Sequence, residues 1–552
     1  MPNYRKISLR APLIYLLIGL ILGLILAKET EPDWQPILGL SFLLAVGCLW
    51  LAWIDKWEKL WSIAYILAAT LCFLIYGLVR LPPVPDETSL SLPVREVTLS
   101  IEVEHIMNPK DGYGRVTGIG SVLESTVTSR LSKGQKIYFQ INTPGTGSIT
   151  RGLKLRATGV LKPIHKLHGS QDRFAAYLRD AGVHYRFGRV SNLDILESAS
   201  SFYAFCREMN QRFQGDLRRG APNGSQVDNI YVAMLLGWKE DLTEAQAERF
   251  RLSGTMHLFA ISGLHIGVIA TVIAQFLLLV RIPRNLGPII GLPLLYLYVE
   301  ITGASPSAMR AFLMATFFWA SFALNRQRSP LQALVGSALF VLLIDPGQLW
   351  SVGFQLSYTV VLSILLFGLP LYEWLRSHIQ PFRWLPPESW TWREKSASWT
   401  LDKLSLLFAI SFAAWVGSTP LSASLFGFVS PGAIFLNMLL VNLAALVISG
   451  GVISLITALV GASALCAFLN HSAWLSISLM DAMITIGLKI PWIYIPCENF
   501  PLWLSYSSLI AFFGLLFQCN ASKDPLQNKF QPILLAPLIV LLPPTAGIFL
   551  SN

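Results

Sequence analysis

The stretch from Leu404 to Met480 reads LSLLFAISFAAWVGSTPLSASLFGFVSPGAIFLNMLLVNLAALVISGGVISLITALVGASALCAFLNHSAWLSISLM, 77 residues without an Asp, Glu, Lys or Arg. A spanning helix needs about 20 mostly apolar residues, so this stretch alone holds roughly three or four crossings. Shorter runs free of the same four residue types lie on both sides. Ala11–Ala27, Trp34–Ile54 and Leu60–Val79 precede it, as do Leu252–Val280, Asn285–Val299, Ala311–Asn325, Ser329–Ile344 and Pro346–Tyr372. Asn499–Ser522 and Phe530–Asn552 follow. Together they predict roughly 14 crossings, some of them re-entrant where Gly and Pro break the run.

Composition agrees. The 552 residues are 53% apolar and 13% charged, with mean hydropathy +0.53. An ordinary soluble domain is about a quarter charged. An ordinary soluble enzyme and a disordered chain are both excluded. The six cysteines are scattered, five of them in or beside apolar runs, with no C-x-x-C pair, so neither a disulfide framework nor a zinc knuckle is expected. The first apolar run follows Arg5, Lys6 and Arg10, as a signal peptide would. No small-x-small cleavage site precedes Lys28 and two more spans follow at once, so it reads as a retained anchor.

Positive charge in short loops sets orientation. Three basic residues before the first span put the N-terminus in the cytoplasm. Three spans (residues 1–80) then put the polar region that follows on the outside. Arg281/Arg284 and Arg326/Arg328 fall inside on the same count. The long loop 373–403 holds Trp374, Trp384, Trp390, Trp392 and Trp399. Trp favours the headgroup level, so this loop is expected to lie on the inner surface as an amphipathic helix.

Residues 81–200 form the outer domain. Strand-like runs are Val97–Met107, Tyr113–Glu124, Lys136–Thr143, Leu153–Ile164 and His184–Leu196, separated by turn signals such as Lys133-Gly134. A short helix, Arg173–Asp180, precedes the last run. Five strands and one helix suggest a small barrel of the oligonucleotide/oligosaccharide-binding (OB) type, although the usual OB helix follows the third strand. Between Arg130 and Val190 twelve basic residues face only Asp172 and Asp180. Such density attracts a polyanion, or an anionic headgroup surface. Lys133, Lys136, Arg151, Lys154, Arg156, Lys162, Lys166, Arg186 and Arg189 are the candidate phosphate contacts. Interleaved aromatics such as Tyr138, Tyr185 and Phe187 fit base stacking or, equally, the barrel core. Residues 201–253 read as amphipathic linker helices, with a capping-box pattern at Thr243-Glu244-Ala245-Gln246.

Within the membrane part, 254–552, polar residues cluster in three places. The first is Gly-Thr-Met-His-Leu-Phe-Ala-Ile-Ser-Gly-Leu-His-Ile-Gly-Val at 254–268. Polar groups at membrane depth face a cavity or one another. His257 and His265 are too far apart on an unbroken helix, about 12 Å, to share a metal. Ser262 and His265 share a face across the Ser262-Gly263 break, as a nucleophile and base would, but no carboxylate orients the His. Pore lining and ordinary helix–helix bonding are the other readings. The second cluster sets Glu300 before Gly303-Ala304-Ser305-Pro306-Ser307-Ala308-Met309-Arg310. Arg310 can pair with Glu300, contact a passing phosphate or snorkel. The third is Gly353-Phe354-Gln355-Leu356-Ser357, after Asp345-Pro346. His165 and His168, the closest His pair, lack a carboxylate neighbour, so no metal and no cofactor is expected. No nuclease, ATPase or hydrolase signature is present.

Taken in order, Gly254-Thr255-x-His257-Leu-x-Ala260-Ile-Ser262-Gly263-Leu-His265, Gly303-Ala-Ser-Pro-Ser-x-x-Arg310-Ala311, Asp345-Pro346 and Gly353-Phe-Gln355-Leu-Ser357 resemble the ComEC-type competence proteins, membrane channels of bacterial DNA uptake. Ser418-Thr-Pro420, Phe426-Gly427, Asn437 and the upstream Phe174–Gly182 segment extend the resemblance over about residues 1–460. It implies a polytopic helical membrane protein of the bacterial inner membrane with an extracytoplasmic OB-like β-barrel, passing single-stranded DNA inward. His257, Ser262, Gly263, His265, Glu300, Arg310, Gln355 and Ser357 would then be pore or motif positions. The chain lacks the His-x-His-x-Asp-His signature of the metallo-β-lactamase-like domain found in many members, so it resembles the short form. An external DNA receptor, a separate nuclease and a cytoplasmic helicase would be its partners, along with the lipid bilayer. A transporter or flippase for another anionic polymer or lipid is the alternative, and a membrane serine hydrolase is a third.

Overall fold

The computed structural model describes residues 12–30, 34–54, 58–81, 95–108, 115–126, 131, 133–142, 149–164, 173–221, 226–238, 242–259, 261–283, 286–323, 329–382, 384–491, 493–497, 500–521 and 536–541. Lys166, His165, His168, Arg284, Arg326 and Arg328 lie outside the described residues. Three helices open the chain, α1 (Pro12–Glu29), α2 (Trp34–Ile54) and α3 (Glu58–Arg80). Small residues let α1 and α3 touch. A Cβ on Gly19 would stand 2.5 Å from that of Ala69, the close approach expected where helices pack without a hydrophobic drive.

The barrel follows, with strands β1 (Arg95–Asn108), β2 (Arg115–Ser125), β3 (Lys136–Asn142), β4 (Lys154–Pro163) and β5 (Tyr185–Glu197). Strand order is β1-β2-β3-β5-β4, closed, with β3 and β5 parallel and the other neighbours antiparallel. Alternation builds it. Val97, Leu99, Ile101 and Val103 point into the core with Phe139 and Phe187, and each is almost fully buried. Irregularities at Ser100/Ile101 and Val103/His105 bend β1, so that it pairs with both β2 and β4; such bulges are how a short sheet turns corners to close. Helix α4 (Arg173–Asp180) lies between β4 and β5 and packs Leu178 onto Ile119 and Tyr138, on the outer side of the barrel.

The rest is helical. In order come α5 (Ser201–Leu217), α6 (Val227–Leu236), α7 (Glu244–Leu252), α8 (Gly263–Leu279), α9 (Gly287–Ile301), α10 (Pro306–Ala323), α11 (Pro330–Ile344), α12 (Val352–Ser363), α13 (Leu369–His378), α14 (Trp392–Phe426), α15 (Ala433–Leu459), α16 (Ser463–Gly487) and α17 (Leu502–Ala521). Thr243 and Gln246 cap α7 reciprocally. Helix α6 is buried almost throughout, because Ile230 to Leu236 are apolar on every side.

Among the described residues, six helical stretches are long and apolar enough to cross a membrane. Helices α1, α2 and α16 have 18, 21 and 25 residues besides, so the six are not a total for the chain, although some charge-free runs fold short. Helices α9 and α11 have 15 residues each, about 22 Å at the rise of an α-helix, against a hydrocarbon core of about 30 Å. The loop 373–403 also differs from expectation. Thr391 and Glu394 form a capping box, and α14 then runs 35 residues without interruption. Trp392 and Trp399 therefore sit, exposed, on the first turns of that long helix rather than on a separate amphipathic one.

Two hydrophobic clusters divide the helical part. One gathers α5, α6, α8, the C-terminal half of α9, and α15 and α16. The other gathers α1, α11, α12, α14 and α17. Helix α10 is shared: Ala308 and Ala311 belong to the first cluster, and Leu313 and Met314 pack on the second.

Candidate functional site

The segment 254–268 breaks as its Ser-Gly suggests. A single 3-10 turn, Met256–Leu258, precedes α8, and Ser262 is its N-cap. The Ser262 backbone N–H donates to His265 Nδ1 at 3.3 Å, and Ser262 Oγ lies 3.1 Å from the same nitrogen. His265 thus takes the role that Glu or Gln has in a capping box. It is fully buried. The Ser–His contact closes a helix start, and no carboxylate among the described hydrogen bonds turns the imidazole into a base. His257 sits in the preceding turn with Nδ1 3.1 Å from the Gly254 carbonyl, its ring exposed.

The three motif segments converge. Ser307, in the first turn of α10, donates to the Ile261 carbonyl at 2.7 Å. Arg310, 4% exposed, reaches across to α12 and donates to Ser357 Oγ at 3.4 Å. Gly353 makes this possible: a Cβ there would stand 2.8 Å from Arg310 Nη2. Gln355 donates to the Leu349 carbonyl at 3.0 Å and accepts from Tyr506 at 3.0 Å, tying α12 to α17. Arg310 is therefore a buried link between the two helical clusters.

Glu300 does not pair with Arg310. Its side chain is 1% exposed and takes Arg151 of the barrel at 2.6 Å. The physical reason is placement: Glu300 ends α9 on the face covered by the barrel, whereas Arg310 points toward α12. Asp345, just past α11, pairs with Lys136 of the barrel at 3.0 Å. Asp345 also accepts from the Gly347 N–H and from Gln348. Burial pushes the Asp345 carboxyl up, but the Lys136 charge and these hydrogen bonds outweigh it and hold it below the usual carboxylate value. Burial pushes Lys136 down, and Asp345 more than offsets that, so the ammonium is raised. His105 of β1 is lowered by burial and by the Arg151 charge, which outweigh the raising effect of the hydrogen bond it donates to the Gly303 backbone.

The barrel's cations thus have several uses. Lys136 and Arg151 hold the membrane part. Lys154 pairs with Glu197 at 2.7 Å and Arg156 with Glu124 at 3.5 Å. Arg186 lies over the Tyr138 ring at 5.5 Å, directly across from Lys162 in the β4–β5 register. Like charges in that position repel unless something anionic joins them. Lys133, Lys162 and Arg189 are exposed and make no ion pair among the described residues. No group of three or more His, Cys, Asp or Glu side chains suited to a metal occurs among the described residues.

Residues that sequence reading passed over complete the junction. Asn210 of α5 donates to the Ile301 carbonyl at 2.7 Å, and its own oxygen accepts from Trp238 at 3.1 Å and Gln214 at 2.8 Å. Tyr203 lies under the Arg151 guanidinium, 5.3 Å from its ring centre. A cavity of about 400 Å³ opens here between the barrel, α5 and the turn at 302–307. Only the polar character of Asn210 on an otherwise apolar helix face hinted at this.

A profile described as Competence protein matches residues 234–521, more than half of the chain. The chain belongs to this family. The match contains all three convergent motif segments and begins inside α6. Among curated proteins, ComE operon protein 3 of Bacillus subtilis is 27% identical over 219 residues, 40% of this chain and 28% of its own length. Recombination protein 2 of Haemophilus influenzae is 25% identical over 225 residues, 40% of this chain and 27% of its own. An uncharacterized protein of Aquifex aeolicus is 27% identical over 230 residues, 41% of this chain and 48% of its own. The matches therefore span between about a quarter and a half of the relatives' lengths. No solved structure matches the chain.

Proposed function

We propose that this protein is a membrane channel that passes single-stranded DNA into the cytoplasm during DNA uptake. The observation that carries the reading is the Competence family match over 234–521, the region in which the three motif segments meet at the first turns of α10. Relatives named for the ComE operon and for recombination belong with such a role.

Two physical features support it. Along α8, Gly263, Gly267, Thr271 and Gln275 recur every four residues and are exposed, and a Cβ on either glycine would meet nothing within 4 Å. A small and polar stripe on an apolar helix suits a wet path better than lipid. Outside, Lys133, Lys162, Arg186 and Arg189 leave positive charge for phosphates. In this reading the barrel gathers the strand outside the inner membrane, the N-terminus is cytoplasmic, and His257, Ser262, Gln355 and Ser357 border the path. A receptor, a nuclease for the second strand and a helicase act beside it.

The test is deletion of the gene in cells that take up DNA, followed by labelled duplex DNA. The expected result is normal surface-bound label, loss of protected cytoplasmic label, and rescue by the intact gene. Unchanged cytoplasmic label would move the transporter of another anionic polymer or lipid to first place.

A further inference from the structure

The cavity at the junction of barrel and membrane part brings cationic and aromatic side chains together. Its walls carry two aromatic side chains, Tyr203 and Trp238, and two guanidinium groups, Arg151 and Arg207. Its single acid, Glu300, is already committed to Arg151.

Arg151 is fixed but not used up. Glu300 takes one Nη1 hydrogen bond and Tyr203 lies under the guanidinium plane, yet a third of the side chain stays open. A guanidinium carries five donors in a rigid fork that suits phosphate. Held in this way it loses little further freedom on binding. Arg207, one helical turn from Tyr203 on α5, is exposed and makes no ion pair among the described residues. Trp238 is pinned by its indole N–H to Asn210, which leaves its position set by α5. Ser305 and Ser307 border the same space from the start of α10.

Two phosphate-seeking groups beside two rings, in about 400 Å³, match a base with its own phosphate. From this we infer that the junction cavity is a subsite for one nucleotide of a single strand, with its phosphate on Arg151 and Arg207 and its base against Tyr203 and Trp238. The inference deepens the channel reading and rests on it. It places a defined step between the barrel, where contacts are electrostatic and spread out, and the convergent motif segments below: Ser307 joins the cavity rim directly to Ile261. Glu300 is in this view a positioning residue for Arg151. No bond is made or broken, so the subsite recognises and registers the strand.

The test uses the full chain in lipid nanodiscs and a short single-stranded oligonucleotide carrying 5-iodo-deoxyuridine. Ultraviolet crosslinking followed by peptide mapping should label Tyr203 or Trp238. Arg207→Ala, an exposed change that leaves the docking contacts alone, should lower the log–log salt slope of oligonucleotide binding by about 0.7, the share of one phosphate contact on a single strand. Trp238→Ala should weaken binding by roughly tenfold, the loss of one stacked base.

Crosslinks confined to the β4–β5 face, with Arg207→Ala binding as the parent does, would overturn the subsite while leaving DNA binding standing. No oligonucleotide binding at all would remove the channel reading together with the subsite. Label at Tyr203 or Trp238 that phosphatidylglycerol displaces, and that excess unlabelled oligonucleotide does not, would assign the cavity to a lipid headgroup and overturn the inference.

Discussion

The barrel is held to the membrane part by two ion pairs that look alike on paper and differ in surroundings. Arg151–Glu300 joins it to the cluster that contains Val299 and Ile301, and the Glu300 side chain is 1% exposed. Lys136–Asp345 joins it to the cluster that contains Val341 and Leu342, with both side chains about one third exposed. A charge taken out of water is costly once its partner is gone, whereas a half-wet pair contributes little and is screened. The first pair therefore acts as a fixed point and the second as a release point. A barrel that straddles two helical clusters in this way is expected to loosen at the second pair before the first.

The sharpest way to break this difference is to strand one charge at the fixed point. Arg151→Met leaves Glu300 buried and unpaired, at a cost of about 3–5 kcal/mol, while Arg151→Met with Glu300→Met is expected to come back close to the parent. Amide hydrogen exchange in the 149–153 turn and in 300–305 reads both. Next in size is the inner link between the same clusters. Gly353→Ala pushes a methyl toward the Arg310 guanidinium and should cost about 1–3 kcal/mol in thermal unfolding. Gly263→Ala, where the added methyl meets open space, is the control and should leave unfolding unchanged.

How far this was legible in the sequence depends on distance along the chain. The five strands were readable to within a residue or two, because Val97, Leu99, Ile101 and Val103 alternate and the turns carry Gly and Pro. The Thr243 cap and the Ser262 break were readable for the same local reason. The clasp was not. Its partners lie 149 and 209 residues apart, and nothing local marks them. Glu300 in an apolar run does demand a cation, and Arg310 is near in sequence, yet the barrel supplies the partner. Counting charge over 130–190 also treated Lys154 and Arg156 as open to a ligand, although Glu197 and Glu124 meet them. For α14 the signal was present and passed over: Thr391 and Glu394 have the spacing that starts a helix, and nothing stops it before the apolar run.

Salt separates the two pairs at smaller amplitude. Asp345→Asn should cost about 0.5–1 kcal/mol of docking. In the parent protein, raising sodium chloride from 0.05 to 0.5 M should loosen exchange protection at 345–350 and leave 300–305 unchanged, since screening reaches half-exposed charges first. Equal loss at both places would end the distinction between fixed point and release point.

The smallest expected effect is that of pH, and its sign is specific. Asp345 is lowered and Lys136 raised. Their pairing is complete above the ordinary Asp value of about 3.9 and below the ordinary Lys value of about 10.4, so it contributes no slope between about pH 5 and 9. His105 is lowered by burial and by Arg151. Released from the junction it takes up a proton near pH 6.5, and docked it does not. The released form then binds more protons, so docking weakens as pH falls below about 6.5, by at most about 1.4 kcal/mol per pH unit. His184, lowered by burial and by Arg179 and Lys28, adds a slope of the same sign. His105→Asn should therefore reduce the acid-side loss of protection at 300–305, and the double variant with His184→Asn should abolish it. A slope that survives both changes would show that other groups take up the proton and would end the assignment to these two histidines.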